Sequence, residues 1–328
     1  MQAFVMPSFG SPDLGRLTEI DKPVPAAGEA LVRVRATSVN PYDWHGLRGE
    51  PRLARLIPAG PGLRRPRRAV LGCDMAGTVE AVGADVTRFR PGDDVFALLP
   101  AGGFAEYVTV PERLLAAKPA NLSHEQAAAV PMAAVTALVG LRDNGSIQPG
   151  QQVLVNGASG GVGTFAVQLA VAFGAEVVGV CHKRNVDLVH SLGAKDVVDY
   201  TAEDFTRTDR RYDILLDIAG RHSVRACRRV LAPTGTFVMV GGPAGPWLQP
   251  MGHMFGTVAM APLVGRRASL TNAVAYTGER HNLVTLAEFI EDGKVTPVID
   301  RRYPFDEIRA AIEYQEAGHA QGKVVVTI

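Results

Sequence analysis

The 328-residue sequence predicts an α/β protein: a doubly wound parallel sheet joined to a smaller, partly open antiparallel barrel. Three observations predict it. Short runs in the first third alternate apolar and charged residues, the period of a strand with one wet face. From Gln151 onward, strand-like and helix-like runs take turns, which argues for a parallel sheet with helices on both faces. Between the first such strand and its helix stands a glycine cluster, Gly157-Ala-Ser-Gly160-Gly-Val-Gly163.

The barrel strands come first. Ala30-Leu-Val-Arg-Val-Arg-Ala36, Gly77-Thr-Val-Glu-Ala-Val-Gly83 and Phe104-Ala-Glu-Tyr-Val-Thr-Val110 carry the alternating pattern, with Pro91-Gly92-Asp93-Asp94 as a turn. At Ser123 the pattern changes: Ser123-His-Glu-Gln126 is a helix cap with Gln three residues on, and the apolar run Ala127 to Leu141 follows. The alternation then predicts strands over 153–156, 176–181, 196–200, 213–219 and 236–240. Helices lie between them, one of them over 223–231. A further strand-like segment, 269–277, sits at the sheet edge. The tail, a helix over 282–290 and a strand over 323–328, returns to the first domain. The resulting division is 1–122 plus 276–328 for the barrel domain and 123–275 for the parallel sheet.

The glycine cluster is a phosphate cradle in prospect. Its first glycine permits a sharp turn, the middle ones let backbone amides approach a pyrophosphate, and the last allows close helix–strand packing. The helix N-terminus adds a favourable field for an anion. Gly157, Ala158, Ser159, Gly160, Gly161, Val162 and Gly163 are therefore candidate cofactor contacts. The second strand ends in Cys181-His-Lys-Arg-Asn185, with no carboxylate at the position that would accept both ribose hydroxyls of NAD. Lys183 and Arg184 there suit a 2′-phosphate, and Tyr200, after the third strand, suits a place beside it. NADPH is the expected cofactor, with NADH possible.

Composition removes other classes. A formal net charge of +1 gives no reason to expect nucleic acid or an anionic membrane as partner. The longest uncharged stretch, 144–175, is broken by glycines and Pro149, unlike a membrane span. Three cysteines, Cys73, Cys181 and Cys227, have no CxxC spacing and support neither a disulfide scaffold nor a four-thiolate zinc lobe. With no basic-then-apolar leader at Met1, a cytoplasmic location is expected. Ser159 does not stand in a Gly-x-Ser-x-Gly elbow, and no tyrosine has Lys four residues later. The basic run Arg64-Arg-Pro-Arg-Arg68 reads as a solvated loop.

Taken in order, Val39-Asn-Pro-Tyr-Asp43, Leu71-Gly-Cys-Asp-Met-Ala-Gly77, Arg90-Pro-Gly-Asp93, Gly103-Phe-Ala-Glu-Tyr107, Val135-Thr-Ala-Leu138, the glycine cluster, Ser191-Leu-Gly-Ala194 and Gly322-Lys323 resemble the medium-chain dehydrogenase/reductase superfamily. Within it the chain resembles the zinc-free quinone oxidoreductase branch, which includes the zeta-crystallin-like reductases. The resemblance implies a GroES-like barrel domain and a Rossmann dinucleotide-binding domain. The zinc ligands of the family's metal enzymes fall on Asn40, Cys73 and Met132, so no metal is expected.

The resemblance places Asn40, Tyr42 and Asp43 near the nicotinamide as catalytic candidates, with Asn40 to donate to a substrate carbonyl and Tyr42 to donate or relay a proton; the alternative is that Asn40-Pro41 builds a turn, Tyr42 packs and Asp43 holds the loop. It adds Thr136, Cys181, Ala219, Val240, Gly241 and Lys323 to the cofactor contacts. It implies that 242–255, with Trp247, caps the substrate cleft, and that edge strand 269–277 mediates a homodimer.

The function implied is hydride transfer from NADPH to a quinone or activated enone, because without a Lewis acid the better acceptor is one whose hydride adduct is a delocalised anion. The alternatives are an enone reductase without quinone activity and a non-catalytic NADPH-binding redox sensor.

Overall fold

In a computed structural model, the structure describes residues 1–56, 62–242, 267–270 and 280–328. Contacts divide the chain into two compact units: Met1–Val135, Val274–Glu291 and Pro297–Ile328 form the first, Thr136–Ala273 and Asp292–Thr296 the second. The division falls after Val135 where the sequence suggested 122. Helix α2 (His124–Ala128), capped by Ser123 Oγ accepting from the Gln126 amide at 3.2 Å, is the reason: its Glu125 binds Arg302 (2.7 Å) and Thr327 (3.0 Å) of the first unit. Pro131, which cannot continue a hydrogen-bonded helix, separates α2 from α3 (Pro131–Val139), so the apolar run is two helices and not one.

The first unit begins with a two-stranded ribbon, β1 (Gln2–Val5) and β2 (Arg16–Glu19). Its main sheet is built on β3 (Glu29–Val39), whose 11 residues have the length to serve three neighbours. One edge pairs antiparallel with β4 (Asp74–Val82), which pairs with β5 (Asp94–Leu98) and through it with β7 (Ala116–Ala117). The other edge is shared: β6 (Tyr107–Pro111) takes Glu29 to Arg33, and β15 (Lys323–Thr327) takes Ala36 to Val39. β14 (Ile299–Pro304) lies parallel beyond β15. Val32, Val34, Met75, Val79, Val95, Ala97 and Val110 meet in one core, as the inner face of a barrel should. After β3 the chain enters α1 (Pro41–Arg48), which packs with α8 (Ile308–Glu316) through a Trp44–Gln315 hydrogen bond of 2.7 Å and an Arg48–Glu316 ion pair. Helix α7 (Arg280–Glu291) completes the unit.

The second unit is the predicted parallel sheet. β8 (Gln152–Asn156), β9 (Glu176–Cys181), β10 (Asp196–Asp199), β11 (Tyr212–Asp217), β12 (Leu231–Met239) and β13 (Arg267–Leu270) lie in the order β10-β9-β8-β11-β12-β13. That order reverses between β8 and β11, the switch point at which such sheets bind ligands. Helices α4 (Gly161–Ala172), α5 (Val186–Ser191) and α6 (Val224–Arg228) link the strands. β8 and β11, buried on both faces, read as apolar runs instead of alternating. Of the expected edge segment 269–277, only the residues through Leu270 are described. The expected cap, 242–255, lies outside the described residues beyond Gly242.

Candidate functional site

Where β3 runs into α1, five polar side chains are buried together: Asn40, Asp43, Asp74, Ser38 and Lys323, none more than 3% exposed. Lys323, the first residue of β15, reaches Asn40 Oδ1 with its ammonium and lies 3.3 Å from Asp74 Oδ2. Asn40 Nδ2 donates to Asp74 Oδ2 at 2.9 Å, and Ser38 Oγ donates to the same oxygen. Asp74 Oδ1 accepts from the Met132 amide at 2.7 Å. Asp43 Oδ2 accepts from the Asn40 backbone N–H at 2.8 Å, closing the first turn of α1. Cys73 is fully buried beside them, its Sγ accepting from Asn40 Nδ2 at 3.4 Å and donating to Asp43 Oδ2 at 3.8 Å.

The charges do not balance, since one ammonium serves two carboxylates. Burial first, and then the neighbouring Asp74, push the Asp43 carboxyl up to about 7. Burial, with Asp43 and Asp74 adding to it, holds the Cys73 thiol well above its ordinary range, so it stays protonated. Tyr42 differs: it is 40% exposed, and burial of part of its ring raises its phenol, with Cys73 and Asp43 adding and Arg68 opposing. It is a neutral donor at physiological pH.

Three of the expected site residues lie within this cluster. Asn40 has both ends of its amide bonded inside the protein, to Asp74 and to Lys323, and so positions its neighbours. Asp43 faces inward as a helix-cap acceptor. Lys323 keeps its ammonium inside the buried cluster, against Asn40 Oδ1 and Asp74 Oδ2, since an unpaired buried ammonium would be costly. Of the catalytic candidates, only Tyr42 presents its side chain.

In the second unit the cradle has the geometry its glycines predict. Gly157 has φ +94°, and the amides of Gly157 and Ala158 both donate to Val180 O at 3.0 Å, which locks the loop onto β9. Gly160 is the N-cap of α4 and Gly161 opens the helix, with Val162 in its first turn. A Cβ on Gly163 would lie 2.1 Å from Gly157 O, so only glycine fits there. On Gly160 the nearest atom would be 3.6 Å away, which leaves the surface of the turn open.

Ala219 and Gly241 adjoin the cradle across the switch point: the Ala219 amide donates to Asn156 O at 3.3 Å, and Val240 and Gly241 donate to Asp217 O at 2.9 and 3.3 Å. Thr136 is buried in α3. The cradle thus gathers Gly157 to Gly163 with Ala219, Val240 and Gly241 at the carboxyl ends of β8, β11 and β12.

At the ends of β9 and β10, Lys183 and Arg184 are exposed on a short turn, Lys183–Asn185, and Tyr200 stands beside them with its ring 5.7 Å from His182, edge to face. The Tyr200 amide donates to Cys181 O at 3.1 Å. Cys181 itself turns inward, 2% exposed, its thiol pushed up to about 11 by burial, so any contribution to a ligand is by its backbone.

Sequence reasoning missed two residues here. Asn185 Nδ2 donates to Ser159 Oγ at 2.9 Å and so steadies the cradle's one hydroxyl. Asp199, in register with Cys181 on the neighbouring strand, brings a carboxylate to a place the sequence left without one. Asp199 closes the third strand of the sheet, and only the pairing of that strand with the second brings it to this place.

Among the described residues no three or more His, Cys, Asp or Glu side chains group in a way that could hold a metal ion, and no helix is long and apolar enough to cross a membrane. Residues 26–120 match the family described as alcohol dehydrogenase GroES-like domain, and residues 192–326 the one described as zinc-binding dehydrogenase. The chain is 33% identical over 354 residues to the mitochondrial NAD(P)H oxidoreductase RTN4IP1 of Mus musculus, covering 100% of this chain and 89% of that protein. It is 32% identical over 340 residues to the chloroplastic NADPH-dependent alkenal/one oxidoreductase of Arabidopsis thaliana, with 99% and 79% covered. The solved quinone oxidoreductase from Coxiella burnetii superposes with a TM-score of 0.85 at 28% identity, covering 100% of this chain and 99% of that one. With similarity running from end to end and both domain families matched in order, the chain belongs to the medium-chain dehydrogenase/reductase superfamily, in its quinone oxidoreductase-like branch, and is an NAD(P)H-dependent oxidoreductase.

Proposed function

We propose that this enzyme is a zinc-independent, NADPH-dependent reductase that transfers a hydride to quinones or activated α,β-unsaturated carbonyls. One observation carries the reading: the buried cluster at Asn40, Cys73 and Asp74 is closed around an ammonium. A zinc ion there would need thiolate, imidazole or carboxylate donors. Asn40 offers a committed amide, Cys73 a protonated thiol, Asp74 a carboxylate whose two oxygens already accept from Ser38, Asn40 and the Met132 amide, and Lys323 a positive charge that a dication would have to displace. These residues do not fit zinc. Without a Lewis acid, an alcohol is not acidified for oxidation, whereas a conjugated carbonyl accepts a hydride to give an anion already spread onto oxygen.

The cofactor does fit. The cradle Gly157 to Gly163 would hold the pyrophosphate, with Ser159 steadied by Asn185. Lys183, Arg184 and Tyr200 would receive the 2′-phosphate, and Thr136, Ala219, Val240 and Gly241 would border the nicotinamide. Once bound, the dinucleotide supplies the hydride. The chain's own contribution is to position the acceptor, exclude water and offer the protonated Tyr42 phenol as donor to the carbonyl oxygen. The test is NADPH consumption with a benzoquinone, a naphthoquinone, an alkyl enone and no acceptor. Turnover of primary alcohols, or stoichiometric zinc by elemental analysis, overturns the reading.

A second reading, reduction of enones alone, is favoured by the relative named for alkenals and enones; activity confined to the enone arm would establish it. Tight NADPH binding with no acceptor reduced would instead mark a redox sensor. We further infer a homodimer built on β13, the strand that ends the six-strand order. Three free, buried cysteines fit a reducing compartment such as the cytoplasm.

A further inference from the structure

The nucleotide's 2′ end, as read above, is a cationic site made by Lys183, Arg184 and Tyr200, and the structure sets a carboxylate among them. β9 and β10 run parallel with Asp199 opposite Cys181, which puts their Cα atoms about 4.8 Å apart with both side chains on one face of the sheet. That face carries α5 and the turn leading into it: two residues before Cys181, a Cβ on Gly179 would meet Val189 of α5 at 2.4 Å. Asp199 therefore stands on the side from which Lys183 and Arg184 emerge. It is also held there, because Oδ1 accepts from the Thr201 amide at 3.0 Å and from Thr201 Oγ1 at 2.7 Å. Those two bonds favour the ionised form, with smaller help from the Lys183 amide and the His182 ring, and keep Asp199 below the ordinary carboxylate range.

We propose that Asp199 is a specificity-determining residue, whose fixed negative charge lowers this enzyme's preference for NADPH over NADH. A 2′-phosphate brings nearly two further negative charges to this place, and a like charge close by opposes it. A 2′-hydroxyl brings none, and can donate to a carboxylate. The cations and Asp199 then act in opposition, and the chain takes both dinucleotides where Lys183 and Arg184 alone would select one. The inference rests on the proposed 2′-phosphate site.

Asp199→Asn removes the charge and keeps an oxygen for the Thr201 amide. The kcat/KM ratio for NADPH over NADH, measured with the best acceptor, should rise about fivefold or more, chiefly through a lower KM for NADPH, and the rise should shrink as salt is added. In calorimetric titrations, which need no turnover, 2′,5′-ADP should bind the variant more tightly and 5′-AMP should not. Asp199→Ser, which also keeps an oxygen at the turn, should act in the same direction if Asp199→Asn folds poorly.

The inference alone is overturned if 2′,5′-ADP binding depends on Lys183 and Arg184 while both Asp199 variants leave the ratio and the affinities unchanged. If the Lys183→Ala/Arg184→Ala double variant binds 2′,5′-ADP as the parent does, the 2′-phosphate site itself falls, and this inference with it.

Discussion

Asp43 and Asp74 are two buried carboxylates served by one ammonium, and that imbalance fixes how the cluster responds to change. Lys323 is 3% exposed and Asp74 fully buried, so replacing the lysine leaves Asp74 with no countercharge. Lys323→Met should cost about 3–5 kcal/mol, read as a lower midpoint in urea with the slope unchanged. Asp43 predicts a pH effect. With its folded value raised to about 7, the unfolded chain releases this proton from about pH 4 upward while the folded chain keeps it, so stability falls as pH rises across that window. Asp43→Asn should remove a fall of about 2–4 kcal/mol, measured by denaturation at pH 5 and pH 8. Little of this was legible in the sequence. Asn40 and Asp43 stand out because they flank the α1 start, but Asp74 and Lys323 lie 249 residues apart, and only the pairing of β15 with β3 makes them neighbours.

The element that was most legible is the turn from β8 into α4, because close backbone packing leaves a mark in residue type. Gly163 and Gly160 look alike in the sequence and differ in space. A Cβ at Gly163 would strike the Gly157 carbonyl at 2.1 Å, and at Gly160 it would sit 3.6 Å from its nearest neighbour. Gly163→Ala should therefore cost roughly 3 kcal/mol or more as overpacking against backbone, with a lower Tm and no dinucleotide binding. Gly160→Ala should keep Tm within a few degrees and weaken NADPH at least tenfold by intruding on the surface proposed for the pyrophosphate. Equal effects on Tm would contradict the packing account. The strand periods were read correctly for the parallel sheet because β8 and β11 are buried on both faces. The apolar run Ala127 to Leu141 does not show its own division: its apolar character persists through Pro131, while the hydrogen bonding does not.

At the scale of the molecule, the chain leaves its first unit, builds the parallel sheet, and returns to finish the barrel with its last strand. The alternation of strand and helix fixes the order of the second unit, whereas the shared edge of β3 could not be foreseen, since nothing local tells a strand that it will have two partners on one side. That edge makes the first unit depend on the end of the chain. Val324, Val325 and Val326 are each at most 1% exposed, and burying three such side chains contributes about 5–9 kcal/mol, comparable with the whole stability of a typical domain. Lys323 adds the countercharge of the Asp74 cluster. Deleting residues 323–328 should therefore unfold the first unit, and β3, β4 and β15's partner β14 should lose hydrogen-exchange protection. The second unit draws its core from β8 to β12, so its amides should keep theirs. Loss of protection throughout would show that the two units fold as one cooperative body, and protection retained in β3 would show that β6 and β4 suffice to hold it.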